Sequence, residues 1–115
     1  MSFSVSDIGT VKIITLSGKI DWEDASNLDK EISSLIDGGF PKIAFVFDEV
    51  TSICSALIGA LAFNLNKVKE RNGAFYLISS NKNVNTIFES IKFDIVFDGY
   101  LFKSLEDFRK EVLDK

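Results

Sequence analysis

The sequence predicts one α/β domain over residues 1–115, with a mixed, mostly parallel β-sheet of four or five strands and four α-helices. Apolar runs of strand length alternate along the chain with segments whose apolar residues recur at helical spacing. Two of the runs, Ile43–Phe47 and Ala74–Ile78, are nearly continuous, which is typical of strands that are covered on both faces. The connections are short, and the right-handed crossover rule restricts how such a sheet can be wound.

The strand positions follow from four apolar runs and one weaker segment. The runs are Val11–Leu16, Ile43–Phe47, Ala74–Ile78 and Ile95–Phe97. The weaker segment, Phe3–Val5, alternates apolar and polar residues, and Gly9 followed by Thr10 offers a turn into the next strand. We therefore expect the first two strands to form a hairpin, which makes the sheet mixed.

The first helix is predicted between Ile20 and Gly38. Its apolar residues at helical spacing are Ala25, Leu28, Ile32, Leu35 and Ile36. Asp21 is a candidate N-cap, Asp24 stands three residues later as in a capping box, and Gly38 with Gly39 provides a stop.

Three further helices are predicted from the same helical spacing. Their apolar residues are Leu57, Leu61, Leu65 and Val68 in the second, Val84, Ile87, Phe88 and Ile91 in the third, and Leu105, Phe108 and Val112 in the fourth. The second helix is expected to run from about Ser55 to Glu70. The third follows the capping cluster 79–81, and the fourth follows Ser104, with Asp107 in capping-box position.

Charge and composition argue against several classes of function. The chain carries 13 basic and 17 acidic residues, a formal net charge of −4, without a Lys/Arg cluster, so nucleic acid is not an expected partner. Charged or polar residues interrupt every apolar run well short of the roughly 20 residues that a membrane-spanning helix needs, so no membrane association is expected. The first residues do not follow the pattern of a secretory signal, which favours a cytoplasmic protein.

The residue inventory also argues against a metal site, a cofactor and catalysis. The chain has no His and a single cysteine, Cys54, which excludes an intramolecular disulfide and any multi-cysteine zinc site. Without His the commonest general base is missing, and nothing in the sequence fixes the separation of Asp24 and Asp48. Asp48 is instead expected to bind loop amides at the end of its strand. We therefore expect a binding module and not an enzyme.

Two segments carry a more specific pattern. Residues 16–21, LSGKID, leave a strand and enter a helix in the form L-x-G-x-(I/L/V)-D. Residues 45–59, FVFDEVTSICSALIG, comprise a buried strand ending in Asp48, a short loop, and a helix entry that includes Ser55 and Gly59. Both segments resemble the STAS domain family, and in particular the bacterial anti-sigma-factor antagonists. Weaker similarity at later positions extends the resemblance over nearly the whole chain.

The resemblance implies a protein-binding regulator of transcription whose partner is an anti-sigma factor with serine-kinase activity. Ser55 stands where these antagonists carry the serine that the kinase phosphorylates. Around it, Cys54 replaces an Asp, Ala56 a hydroxyl residue and Leu57 a Gly, and Lys92 lies where many members have Gly after the third helix. The alternative is a STAS module that is not phosphorylated and acts as a scaffold or as a sensor of a small ligand. The sequence leaves the oligomeric state open.

The candidate partner-binding residues lie at two helix entries. They are Asp21, Trp22 and Asp24 at the first helix, and Cys54, Ser55, Ala56 and Leu57 at the second. A phosphate on Ser55 would meet unpaired backbone N–H groups at the positive end of a helix dipole. Equally, Ser55, Ser52 or Thr51 could serve only as the N-cap.

Other residues also have two interpretations. Trp22 is a candidate interface anchor, unless Asp21 only caps the first helix and Trp22 packs over its first turn. Cys54 is a candidate redox-sensitive thiol, although a small core residue is the expectation we favour. A candidate second interface would exist if an apolar patch is exposed at Phe93, Tyr100, Leu101 and Phe102.

Overall fold

The computed structural model of the protein describes residues 1–114, in which strands and helices alternate. In chain order they are β1 (Ser2–Ile8), β2 (Val11–Lys19), α1 (Trp22–Asp37), β3 (Lys42–Ser52), α2 (Ser55–Glu70), β4 (Ala74–Ile78), α3 (Lys82–Ser90), α4 (Phe93–Val96), β5 (Leu101–Phe102) and α5 (Leu105–Phe108), which a π-helical turn (Arg109–Leu113) extends. The strand order in the sheet is β1-β2-β3-β4-β5, so that strands adjacent in sequence are also adjacent in space.

The sheet is mixed and mostly parallel, as predicted. β1 pairs antiparallel with β2 in the expected hairpin, while β2 with β3, β3 with β4 and β4 with β5 are parallel pairs. Because parallel strands point the same way, the loops that follow β2, β3 and β4 lie at one end of the sheet. The starts of α1, α2 and α3 therefore line that end.

β3 lies at the centre of the sheet and is buried on both faces. Phe45 and Phe47 enter a core that is covered by α1, α2, α3 and α4, whereas Ala44 enters a second core that includes Phe108 of α5. The ring of Phe45 meets that of Phe75 edge to face, with centroids 5.1 Å apart. Alternate side chains of β3 thus enter different cores, which explains why its apolar run is continuous.

Side-chain caps confirm three of the predicted helix starts. At α1 the Asp24 N–H donates to the Asp21 carboxylate at 2.9 Å, and the Asp21 N–H donates to the Asp24 carboxylate at 3.1 Å, which is the reciprocal pair of a capping box. The Asn81 side chain caps α3, and the Ser104 hydroxyl accepts from the Asp107 N–H at 3.1 Å at the start of α5.

The prediction of a strand at Ile95–Phe97 is wrong. Within residues 1–114, Phe93–Val96 forms the short helix α4 and the last strand is Leu101–Phe102, which gives five helices rather than four. Phe93 and Phe97 are buried while Ile95 is 67% exposed. Buried residues four positions apart match one helical turn, and a run of three apolar residues is too short for its spacing to distinguish a helix from a strand.

The apolar patch predicted at Phe93, Tyr100, Leu101 and Phe102 is mostly not exposed. Phe93 and Phe102 are buried and Leu101 is half-buried, so that only Tyr100 of the predicted set is exposed. The exposed apolar side chains close by in sequence are instead Ile95 and Val96 of α4. Helical geometry turns these two residues outward because Phe93 and Phe97 take the inward positions.

Candidate functional site

Ser55 is the first residue of α2, at the end of the sheet where the loops after β2, β3 and β4 converge. The helix runs from Ser55 to Glu70, as predicted. Ser55 is exposed, and none of the hydrogen bonds within residues 1–114 uses its hydroxyl. The side chain is therefore open to a partner or to an enzyme that modifies it.

The interpretation of Ser55, Ser52 or Thr51 as the N-cap of α2 is wrong. The N-cap is Cys54, whose backbone is extended and whose side chain makes no capping bond. Thr51 and Ser52 still belong to β3, because the strand continues past Phe47 along β2 as far as the pair Lys19 and Ser52. The Ser55 hydroxyl thus has no structural role that would compete with recognition.

The start of α2 can accommodate an added negative charge. The hydrogen bonds of the helix begin at the N–H groups of Leu57 and Ile58, which donate to the Cys54 carbonyl at 3.1 Å and 3.4 Å. The N–H groups of Ser55 and Ala56 precede these and have no intrahelical partner. The first turn contains no acidic residue, so a phosphate at Ser55 would face the positive end of the helix dipole without a carboxylate in the same turn.

Asp21 and Asp24 are held at the start of α1 by the capping box. The N–H of Asp24 is the main cause that lowers the pKa of Asp21 from its ordinary value of 3.8, because the bond stabilises the ionised carboxylate. Asp24 also lies 3.6 Å from the N-terminal ammonium of Met1. Gly18 allows β2 to leave its register with β3 just before this loop, since its φ of 82° lies in the region that side chains rarely adopt.

Trp22 does not pack over the first turn of α1, which corrects one of its two interpretations. Its side chain is 72% exposed, although the capping role of Asp21 in that interpretation is confirmed. Trp22 lines a groove between α1 and α2 together with Ala56, the residue after Ser55. The fold therefore brings residues from both predicted helix entries onto one surface.

The groove also contains two residues that sequence reasoning missed, Phe63 and Asp29. Phe63 is 67% exposed although it lies in the middle of an apolar helix. The available signal was its position off the buried stripe of α2, in register with Ala56 and Ala60 at spacings of seven and three. Asp29 follows Trp22 by seven residues, two turns of α1, and lies on the same side of that helix.

Leu57 and Cys54 occupy the inner side of the helix entry. Leu57 is fully buried in the core, so its side chain is not part of the surface that a partner could touch. Cys54 is half-buried and packs against the same core, which agrees with its interpretation as a small core residue. Of the candidate residues at this entry, Ser55 and Ala56 are the exposed ones.

Asp48 binds the neighbouring loop, as the sequence predicts. Its carboxylate accepts from the backbone N–H of Ser80 at 2.7 Å and from the Ser80 hydroxyl at 3.0 Å. This pair joins β3 to the loop before α3. The predicted end of the strand at Asp48 is wrong, since β3 continues along β2 to Ser52. Among the described residues, His, Cys, Asp and Glu side chains form no group of three that could hold a metal ion, and no helix there has the length and apolar character required to cross a membrane.

Comparison with known proteins places this geometry in context. The sequence model of the STAS domain matches residues 2–108. An anti-sigma factor antagonist from Mycobacterium paratuberculosis has a similar structure, with a TM-score of 0.85 at 22% identity over 98% of this chain and 94% of that one. The anti-sigma factor antagonist SpoIIAA in its unphosphorylated form gives a TM-score of 0.75 at 17% identity, over 98% and 96% of the two chains.

The fold is also found outside the antagonists. A sulfate transporter family protein from Wolinella succinogenes gives a TM-score of 0.76 at 13% identity, over 94% of this chain and 91% of that one. No curated protein sequence matches the chain significantly. At such identities the solved structures show a common fold alone, and function has to be argued from the surface.

Proposed function

The chain belongs to the STAS domain family, and from this premise we propose that it is an anti-sigma-factor antagonist controlled by phosphorylation of Ser55. It binds an anti-sigma factor with serine-kinase activity, in the cytoplasm, through the start of α2 and the adjoining entry of α1. The chain is the substrate of the kinase and not itself an enzyme. The observation that carries the proposal is the exposed hydroxyl of Ser55 at the first position of α2, without a capping role.

The chemistry of a switch at this position follows from the helix end. Phosphorylation adds a charge of about −1.5 to −2 and three acceptor oxygens. The unpaired N–H groups at the start of α2 can accept that charge without a change of fold. A partner surface shaped for a neutral hydroxyl cannot accommodate the added charge, so the complex dissociates.

The departures from the family pattern around Ser55 are compatible with this switch. Leu57, which stands where the antagonists have Gly, enters the core and leaves the outer surface of the helix start unchanged. Cys54 and Ala56 carry small side chains on either side of the hydroxyl, so neither blocks access to it. Trp22, across the groove from Ala56, supplies an aromatic anchor of the kind that dominates protein interfaces.

The test is phosphorylation by the partner. The protein is incubated with ATP and the serine-kinase anti-sigma factors of its own organism, and the phosphate is located by mass spectrometry. We expect one phosphate on Ser55, a weaker complex for Ser55→Asp, and a persistent complex that resists the kinase for Ser55→Ala. Ser52→Ala is the matched control, since this serine lies three residues away in β3 and should leave both properties unchanged.

Two outcomes would contradict parts of the proposal. A phosphate found on Ser52 or Thr51 alone would move the site and keep the mechanism. No phosphate, together with equal affinity of Ser55→Ala and Ser55→Asp for every anti-sigma factor, would remove the switch.

The second candidate function, a scaffold or a sensor of a small ligand, is favoured by a different feature. A cavity of about 210 Å³ lies between β4, β5 and the helices α3 and α4. Its lining combines apolar side chains with polar and charged ones, namely Leu77, Phe88, Leu101 and Phe102 with Ser79, Asn85, Glu89, Asp94 and Lys103. An apolar cavity with a few polar groups is the usual form of a small-molecule site. A partner that binds wild type, Ser55→Ala and Ser55→Asp with equal affinity, with no phosphate incorporated by any kinase, would leave this function as the remaining one.

A further inference from the structure

The groove between α1 and α2 is a concave surface that carries two exposed aromatic side chains. Its volume is about 360 Å³, and it is lined by Trp22, Ala25, Ser26, Asp29, Ala56, Ala60 and Phe63. Apart from Asp29 and the two aromatic residues, the lining side chains are small, while Trp22 and Phe63 are 72% and 67% exposed. Large aromatic side chains that remain this exposed around a groove are typical of a surface that a partner covers.

Asp29 is the only charged residue of the lining, and the fold holds it in place. The Asn64 side-chain amide donates to Oδ1 of Asp29 at 2.6 Å and to the Ala60 carbonyl at 2.9 Å. Within residues 1–114, Oδ2 of Asp29 makes no hydrogen bond and Asp29 forms no ion pair. One carboxylate oxygen thus remains for a donor that enters the groove.

The support of Asp29 by Asn64 leaves one buried polar atom unsatisfied. Asn64 is completely buried between the helices, and its Oδ1 has no hydrogen-bond partner among the described residues. An unpaired buried acceptor is destabilising, and an apolar side chain at this position would avoid it. The α1–α2 contact therefore contains a buried amide with one unsatisfied oxygen, and its NH2 group holds one oxygen of the Asp29 carboxylate.

We propose that this groove binds an arginine side chain of a partner protein. A fixed carboxylate with a free oxygen attracts a cation, and no Lys or Arg in the lining neutralises it. The aromatic faces of Trp22 and Phe63 favour a planar guanidinium, which stacks on rings and donates to a carboxylate at the same time, over a compact, strongly hydrated ammonium.

The groove adjoins the surface of the proposed switch. Ala56 in its lining follows Ser55 directly, and Trp22 follows Asp21. The identity of the partner as the anti-sigma factor rests on the proposed function. The arginine site itself does not, because it uses none of the hydroxyls that a kinase would modify.

The test uses Trp22 as its own reporter, since it is the only tryptophan of the chain. The intact protein is titrated with a neutral-ended pentapeptide of leucine, glycine and one arginine, and the tryptophan fluorescence is followed. We expect a saturable change that is weakened at least about tenfold when citrulline, the uncharged analogue, replaces arginine. Asp29→Asn should weaken binding of the arginine peptide by a similar factor, while it keeps an oxygen for the Asn64 amide.

Controls separate the site from general charge and from folding. Glu23→Gln removes the same charge on the same helix but outside the lining, and it should leave the affinity unchanged. Phe63→Ala should weaken binding without a change in the unfolding midpoint, because the ring is exposed. Equal affinity for the arginine and citrulline peptides, or an unchanged affinity of Asp29→Asn, would overturn the proposal.

Further outcomes distinguish this proposal from the switch. Free L-arginine that binds as tightly as the peptide would replace the protein partner by a small molecule and so contradict the proposal. Arginine-selective peptide binding by the wild-type protein, together with no phosphate on it after incubation with the kinases, would support the groove and reject the switch. Phosphorylation of Ser55 in a protein that binds the arginine and citrulline peptides equally well would support the switch and reject the arginine site.

Discussion

Lys92 holds a left-handed backbone conformation, with a φ of 67°, between α3 and α4. A residue with a Cβ atom is disfavoured there by roughly 1–2 kcal/mol relative to its ordinary conformations, which glycine avoids. The resemblance to the antagonists expects glycine at this position, and the backbone angle gives the physical reason. The side chain of Lys92 is exposed. Its backbone conformation turns the chain from α3 into α4, whose first residue, Phe93, is buried in the core.

We predict that Lys92→Gly raises the free energy of unfolding by about 0.5–1 kcal/mol, because relief of backbone strain exceeds the entropy that glycine adds to the unfolded chain. Urea denaturation followed by circular dichroism measures this difference. Lys69→Gly, at an exposed helical position of α2, is the control and should lose about 1 kcal/mol. A loss of similar size in both variants would show that the conformation of Lys92 carries no strain.

Gly73 is required for a different reason, the close approach of two loops. A Cβ atom at Gly73 would collide with the carbonyl oxygen and the ring of Pro41, and the Ala74 N–H donates to that same carbonyl at 3.1 Å. The colliding atoms include backbone, so no change of rotamer can relieve them. The contact fixes the starts of β3 and β4 side by side.

Gly73→Ala should therefore lower the free energy of unfolding by about 1–3 kcal/mol, the usual effect of overpacking. Gly59→Ala is the matched control, because nothing lies within 4 Å of the added atom and alanine is the better helix former. Thermal melts of the two variants should move in opposite directions. If both midpoints rise, the packing of Gly73 against Pro41 is not tight.

At the scale of single elements, α1 and α2 start in contrasting ways. The capping box of Asp21 and Asp24 fixes the start of α1 locally. The start of α2 has no side-chain cap, and its position follows from the length of β3 and from the burial of Leu57. The uncapped start leaves the Ser55 hydroxyl and the first N–H groups of the helix without hydrogen-bond partners among the described residues.

The cap of α1 predicts a pH dependence whose sign follows from the lowered pKa of Asp21. The N–H of Asp24 favours the ionised form in the folded protein, so the stabilisation is present above the unfolded pKa of 3.8 and is lost as pH falls through the lower folded value. Asp21→Asn keeps a capping oxygen but does not titrate, and Asp21→Ala removes the cap. We expect the melting temperature of the wild type to fall relative to Asp21→Asn only in that acidic range, with Asp21→Ala lower than both at neutral pH.

At the scale of the whole molecule, β3 joins the two cores of the sheet. Phe45 is completely buried and contacts Phe75 of the neighbouring strand. A charge at this position would have no partner and no water. Such an unpaired buried charge destabilises a protein by several kcal/mol, which is comparable to the total stability of a small domain.

Phe45→Asp should consequently fail to fold, with no cooperative urea transition and a circular dichroism spectrum without helix. Phe63→Asp introduces the same change at a phenylalanine that is two-thirds exposed and should retain a cooperative transition. A soluble, cooperatively unfolding Phe45→Asp protein would disprove the central position of β3.

The sequence by itself determined those features that depend on neighbours along the chain. The N-caps Asp21, Asn81 and Ser104 and the bounds of α2 were predictable because capping and helical periodicity act over a few residues. The helix α4 was not predictable, because its short apolar run fits both the helical and the strand period. Only the burial of Phe93 and Phe97 selects the helix. The pattern around Ser55 identified the helix entry but not whether the hydroxyl was already engaged as a cap.

The tertiary structure alone decided the composition of the site. Asp29 and Asn64 are 35 residues apart, and Trp22 and Phe63 meet in one groove only because α1 and α2 pack side by side on the sheet. A helical pattern states which residues share a side of one helix, but it carries no information about which side of another helix lies opposite. The exposure of Trp22 and the carboxylate held beside it therefore depend on the packing of two helices against a common core.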